Sequence, residues 1–295
     1  MFHVPVTYYF DFLTVSDKMR PYIMQEFAGC GAKHLVLSEE LMSSCLRDAG
    51  KCDTFLQEMQ NNGLSFCDAH APFGLLYDMH CPFPEKRRML WARHKLLLEI
   101  CAYMKVKTIT IHVGGTREPP SDTISLETHN ERIRETLAEI LPYAEKLGII
   151  ICIENGWYPT ASPANLLKFK KEFPTDALGF CYDSGHANIM DNGRLHTEGR
   201  AYLAWKTAGF NCTPPWENDA LEKMLPHVVN CHLHDNMGDG DSHTLPGRGN
   251  INWNHIIPLL KTAPRLQVIQ SEVIPAGGKI RITDLVAKMN EFSEL

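Results

Sequence analysis

A single-domain α/β fold, the (β/α)8 TIM barrel, is what this chain predicts, and three observations carry the prediction. Eight short apolar runs alternate with eight longer amphipathic ones along the 295 residues. Such alternation implies a parallel sheet with crossover helices, and eight units in this length close naturally into a barrel. Long connections at 71–83, 113–124, 184–196 and 235–250 follow strands rather than helices, with 207–226 the exception. In a barrel, the connections after strands build the active face. Finally, six of the eight proposed strands end in His, Asp or Glu. No linker or change of composition interrupts the pattern, so residues 1–295 are read as one domain.

The expected strands are 3–9, 33–38, 64–69, 107–112, 149–154, 178–183, 228–233 and 267–272. Helical patterns fall near 17–29, 40–62, 84–105, 125–147, 164–172, 197–206, 252–262 and 281–292. The segment 84–105 is the clearest of these, with Pro84 opening it, apolar residues at three- and four-residue steps, and Lys105 closing it. The Pro/Trp-rich piece 213–217 reads as an extra loop and carries no functional reading.

Bulk properties narrow the function classes. With 44% hydrophobic residues and a mean hydropathy of −0.21, the chain can bury a sizeable core without disulfides. Its formal charge is −6 and no Lys/Arg run exceeds three residues, which weighs against a nucleic-acid partner. Ten cysteines stand singly with no C-x-x-C pair, as expected of free thiols in a reducing cytoplasm. The opening residues lack the pattern of a signal peptide, and no apolar run approaches the ~20 residues of a membrane span. A cytoplasmic protein without a membrane partner is the expectation, with homo-oligomerisation left open.

Chemistry concentrates at the strand ends. In order, the ends carry His70, His112, Glu154, Asp183 (with His186 three residues on), His232 and Glu272. A parallel barrel strand is buried on both faces and should be apolar, so polar groups at one end of six strands point into one mouth. A single strand-end histidine such as His70 or His112 has an ordinary alternative, a hydrogen-bonded rim residue. Glu154 after IICI and Glu272 after VIQS are harder to dismiss, because a carboxylate at the inner end of a buried strand needs a cation. The remaining histidines, His34, His80, His94, His129, His196, His227 and His255, receive no chemical role.

Carboxylates from strands five, six and eight with an imidazole from strand seven make a three-oxygen, one-nitrogen donor set. That set suits Mn2+, Mg2+ or Co2+, and it also admits Zn2+. Four protein ligands leave open positions for a substrate with two adjacent oxygens. The chemistry that suits such a site is proton abstraction beside a carbonyl through an enediolate, with Glu154 and Glu272 as the acid/base pair.

At these residues the chain resembles the xylose isomerase-like barrel superfamily, in its sugar (phosphate) isomerase/epimerase branch. The matching pieces are IENGW at 153–157, CYDSGHANI at 181–189, NCHLHDN at 230–236, DSHTLPGRGNINW at 241–253 and QSEV at 270–273. DAHAPF and TIHVGG match more loosely in the first half. The resemblance implies that Glu154, Asp183, His232 and Glu272 hold one divalent metal, with the two glutamates also the acid/base pair of keto-sugar 3-epimerases. It further implies that His186 contacts substrate. His243 stands where those epimerases carry a substrate-binding arginine, so the sugar contacts depart from the pattern there. Aligning His232-Leu233-His234-Asp235 with the common His-Leu-Lys-Asp favours His232 as ligand; His234 is the alternative, on the same face of the strand.

The chain is also similar to endonuclease IV, the abasic-DNA nuclease of that superfamily. Its three-zinc cluster would be supplied here by His70, His112, Glu154, Asp183, His186, His232, Asp241, His243 and Glu272. The acidic charge and the lack of basic, wedge-like loops rank this second. A ligand-binding barrel without catalysis ranks third, since both glutamates are retained. The expected partner is therefore a small sugar or sugar phosphate. Arg248, Arg117 and Lys105 are the cations within reach of a phosphate, each read first as a surface charge.

Overall fold

The computed structural model describes residues 3–10, 15–114, 125–190, 218–275 and 279–294. Eight parallel strands close in sequence order into a barrel: β1 (Val6–Tyr8), β2 (His34–Leu37), β3 (Ser65–His70), β4 (Thr108–Ile111), β5 (Ile150–Glu154), β6 (Leu178–Asp183), β7 (Val228–Leu233) and β8 (Ile269–Ser271). β1 pairs with β8 as well as with β2, so no sheet edge is left open. All eight expected strands are present, with the first and last shortened most.

Around the barrel run α1 (Arg20–Gly29), α2 (Glu39–Arg47), α3 (Gly50–Asn61), α4 (Pro84–Tyr103), α5 (Leu126–Leu147), α6 (Pro163–Glu172), α7 (Ser184–Met190), α8 (Ala220–Met224), α9 (Trp253–Leu260) and α10 (Ile282–Glu294). The single helix expected over 40–62 is two helices. Asp48 breaks it by taking an extended backbone, φ −148° and ψ 107°, while its carboxylate accepts from Gly50 N at 2.9 Å. The segment 184–190, expected to be loop, is helical, and α8 lies within the connection expected over 207–226. The helix expected over 197–206, the piece 213–217 and Arg117 lie outside the described residues.

Helix ends follow ordinary capping chemistry. Ser125 caps α5 by accepting from Thr128 N at 3.1 Å, and Gly148 ends it in the left-handed region at φ 65°. The strands' outer faces (Ile109, Ile153, Phe180) and the helices' inner faces (Met42, Leu97, Leu137, Phe169) are fully buried in one apolar layer. Each such side chain contributes about 1.5–3 kcal/mol. Among the described residues, no helix is long and apolar enough to cross a membrane.

Strand register is what positions the chemistry. Asp183 and His232 are direct cross-strand partners on β6 and β7, and Glu154 pairs with Cys181 on β6. Bulges between Leu35 and Val36 and between Phe180 and Cys181 adjust the facing of the strand ends. The barrel interior holds a polar chain rather than hydrocarbon: Asp68, Thr108, Thr110 and Asn230 are all buried and mutually bonded.

Candidate metal centre

The strand ends converge as expected. His232 Nδ1 lies 2.5 Å from Glu154 Oε1, 3.3 Å from Glu272 Oε1 and 3.9 Å from Asp183 Oδ2. Glu154 Oε2 is in turn 2.9 Å from His112 Nε2. His234 Nε2 sits 3.1 Å from Asp183 Oδ2 and 3.8 Å from Asp241 Oδ1, and its ring stacks on His243 with centroids 4.0 Å apart. His186 Nε2 and His243 Nε2 approach the same Asp241 oxygen, at 3.7 and 3.1 Å. Every strand-end residue named from the sequence is therefore brought into one cluster, and both His232 and His234 belong to it.

Three of the imidazoles are held in a ligand-ready tautomer. His70 Nδ1 donates to Ala71 O at 2.9 Å, His186 Nδ1 to Asn155 O at 2.8 Å, and His243 Nδ1 to Glu272 O at 2.8 Å. A carbonyl oxygen only accepts, so each Nδ1 carries a proton and each Nε2 is the nitrogen turned to the mouth. That is how proteins orient metal-binding histidines. His232 is held from the other side, its Nε2 facing Thr110 Oγ1 at 3.4 Å, which leaves Nδ1 to the carboxylates.

The donor set fits a divalent cation. His232 Nδ1 lies close to Glu154 yet is not aligned for a hydrogen bond, and Asp241 Oδ1 also lacks one. Groups aimed at a shared point instead of at each other are arranged as ligands. Several triads, among them His70–His112–Glu154, His70–His232–Glu272, Asp183–His186–His234 and His234–Asp241–His243, bring their ligand atoms within 4.8 Å of one another. Burial together with the Glu154, Asp183 and Asp241 charges drives the Glu272 carboxyl well above its usual range. Burial acts the other way on His186, but Asp183 and Asp241 outweigh it and push that imidazole well up. An excess of buried anionic charge is what a bound cation relieves.

The supports of this cluster were less visible in the sequence. Asn155 locks Asp183 by accepting from its N at 2.8 Å and donating to its O at 2.9 Å. Asp235 anchors the loop that carries Asp241 and His243. It accepts from Asn236 N, Gly247 N, Ile251 N and Trp253 Nε1 at 2.7–3.3 Å. Two glycines are required by close approach: a Cβ on Gly185 would stand 2.0 Å from His234 Cε1, and one on Gly249 would stand 2.1 Å from Asp235 Oδ1. Beneath His232, Asn230 Nδ2 donates to Thr110 Oγ1 at 3.0 Å and to Asp68 Oδ2 at 3.1 Å, while Thr108 donates to Asp68 at 2.6 Å.

Above the cluster opens a cavity of about 280 Å³, walled by Tyr9, Phe73, Trp157, Tyr158 and Ile274. That is near the lower end of small-molecule pockets. Phe73 stacks on His112 and Trp157 meets His186 edge-on at 4.7 Å. Glu39 lines it too, a residue to which the sequence pattern assigned nothing. Arg248 and Lys105 are exposed and do not line the cavity.

The sequence model of the family described as xylose isomerase-like TIM barrel matches residues 36–270. An uncharacterized protein of Methanocaldococcus jannaschii is 30% identical over 161 residues, which are 52% of this chain and 46% of that protein. The chain thus spans about half the length of that relative. Solved structures share the fold. A D-tagatose 3-epimerase-like protein superposes with a TM-score of 0.72 at 19% identity, over 98% of this chain and 97% of that one. The 3-keto-D-glucoside 4-epimerase of E. coli does so at 0.71 and 12%, with all of both chains covered. An IOLI protein with a bound zinc atom reaches 0.67 at 15% identity, over 98% and 96%.

Proposed function

This chain belongs to the xylose isomerase-like TIM barrel family, and within it we propose a divalent-metal-dependent sugar or sugar-phosphate isomerase or epimerase that works by proton transfer through an enediolate. The observation that carries the reading is the pair of buried glutamates, Glu154 and Glu272, both set against Nδ1 of His232 at the floor of a small aromatic-walled cavity. The epimerase names of two fold neighbours support it.

Glu154, Asp183, His232 and Glu272 would hold the ion, Mn2+, Mg2+ or Co2+, with Zn2+ also compatible with this set. Bound there, it would polarise the substrate carbonyl and offset the charge of the enediolate. The chain's own residues supply the rest. One glutamate removes the proton beside the carbonyl and the other returns it, each able to do so through the carboxylate oxygen not engaged as ligand. His186 and His243, with Nε2 turned into the mouth, bind substrate hydroxyls. Trp157 and Phe73 flank the sugar and exclude water. Free thiols at the described cysteines support a cytoplasmic setting.

The test is deuterium exchange. Metal-loaded protein in D2O should incorporate deuterium beside the carbonyl of D-tagatose or D-fructose, and Glu154→Gln and Glu272→Gln should each abolish net conversion to the isomeric or epimeric product. Net conversion that survives either substitution removes that residue from the pair.

One observation favours a second reading. The adjoining triads contain the whole set His70, His112, Glu154, Asp183, His186, His232, Asp241, His243 and Glu272, which could bind three Zn2+ for phosphodiester hydrolysis of abasic DNA. Metal content near three zinc per chain, with cleavage of an abasic duplex lost in His70→Ala, would establish that reading over the first.

A further inference from the structure

Glu39 is the first residue of α2, directly after β2, and it lines the cavity from the side of the mouth that carries no candidate metal ligand. Its relative exposure is 6%, and neither carboxyl oxygen has a hydrogen-bond partner among the described residues. Leaving a buried carboxyl unsatisfied costs on the order of 1–3 kcal/mol, more when it is charged. No Lys or Arg lines the cavity among the described residues, so no cation of the protein offsets it there. Tyr9 and Ile274 line the same cavity, and His112, His243 and Glu272 lie near enough to act on Glu39 electrostatically. Burial pushes the carboxyl up to about 7, with its own backbone N–H, His112 and His243 opposing the rise and Glu40 adding to it.

Such a group is built to be completed by a ligand. A hydroxyl donates to a carboxylate and accepts from a protonated carboxyl, so a polyol satisfies either state. A phosphate brings negative charge against Glu39 with no basic side chain in the lining among the described residues, and is disfavoured.

We propose that Glu39 is a substrate-binding, specificity-determining residue that holds a hydroxyl of an unphosphorylated polyhydroxy carbonyl compound from the β2 side of the mouth, and that it discriminates against the phosphate ester. The proposal rests on the isomerase reading for the carbonyl end of the ligand, and on Glu39 alone for the other end.

The experiment is a binding titration, read by tryptophan fluorescence, of Mn2+-loaded protein with D-tagatose and with D-tagatose 6-phosphate, alongside deuterium exchange on both. Wild type should bind the free ketose at least tenfold more tightly than the ester. Glu39→Gln and Glu39→Asp, checked by circular dichroism for an unchanged fold, should each weaken ketose binding fivefold or more. Glu39→Gln should also narrow the gap to the ester, and metal content should not change. The ester binding as well as the ketose, or unaltered ketose binding in both variants, overturns the assignment of Glu39. The expected binding pattern without deuterium exchange on either compound would leave Glu39 standing and remove the isomerase reading. Exchange without the binding pattern would do the reverse.

Discussion

The barrel mouth has two unlike halves. Along β3 to β8, five donors are pinned by something behind them: His70, His186 and His243 by backbone carbonyls, Asp183 by Asn155, His232 by Thr110. Along β1 and β2, Glu39 is buried with neither carboxyl oxygen hydrogen-bonded to another residue among those described. Pinning a side chain fixes the geometry an ion demands. A buried group left unsatisfied instead awaits a partner that comes and goes. The contrast separates a resident-ion half from a visiting-ligand half, and substitutions on each side should behave accordingly.

The largest effect is expected on the pinned side. Glu154→Gln or Glu272→Gln should lower ketose turnover by roughly 10²–10⁴-fold, the usual worth of a positioned acid or base. Metal content measured on the same preparations separates lost proton transfer from a lost ion. Retained metal with lost turnover assigns the proton; turnover within threefold of wild type would erase the distinction between the halves as drawn here.

Asp235→Ala comes next. It removes the acceptor of four donors and frees the loop that presents Asp241 and His243. A loss on the order of 3 kcal/mol in urea unfolding is expected, since each stranded donor carries its own desolvation cost. Exchange activity should fall with it. A variant as stable as wild type would mean the loop is held by other contacts, such as the Asp235–Thr244 backbone bridge.

What was legible from the chain alone divides along the same line. Strand-end residues were readable because a carboxylate or imidazole closing an apolar run, as in IICIE or VIQSE, has no ordinary reason to be there. Glu39 was not, because it stands between the strand read at 33–38 and the helix read over 40–62, where an acidic residue at the start of a helix is commonplace. Only the extended backbone at Asp48 shows that segment to be two helices. Asp68 and Asn230 were passed over for another reason. In a barrel of tilted strands, inward positions within the strand meet one another, and no local pattern tells which polar residue will find partners such as Thr108 and Thr110.

On the visiting-ligand side, acidity itself can be tested in metal-free protein. Glu39 has an ordinary value near 4.5 in an open chain and about 7 in the fold. A carboxyl raised by folding binds its proton more tightly in the native state. Its stabilising contribution is complete below about 4.5 and is lost as the pH rises through about 7. Wild type should therefore lose stability relative to Glu39→Gln across that window, by up to about 3 kcal/mol. His112, His243 and Glu272 feel the Glu39 charge, so their own titration shapes the difference as well. Thermal melts of the pair from pH 5 to 9 decide it; parallel curves would mean that Glu39 is already satisfied in the free protein.

The smallest effect is expected beneath the ion. Thr110→Val removes the hydroxyl facing His232 Nε2 while keeping the shape of the side chain. Asn230 Nδ2 keeps its contacts to Asp68, so the interior chain is shortened and not broken. His232 loses only its orientation from behind, which typically costs 10–100-fold in metal affinity. The lower end of that range is expected here, because Glu154 and Glu272 still flank Nδ1 at 2.5 and 3.3 Å. Competition against a chelator of known affinity measures the change. A tenfold weaker Mn2+ affinity with wild-type ketose binding in excess Mn2+ would locate the fault in the pinned half alone. An equal loss of ketose binding under saturating metal would mean that the two halves are coupled through the barrel floor.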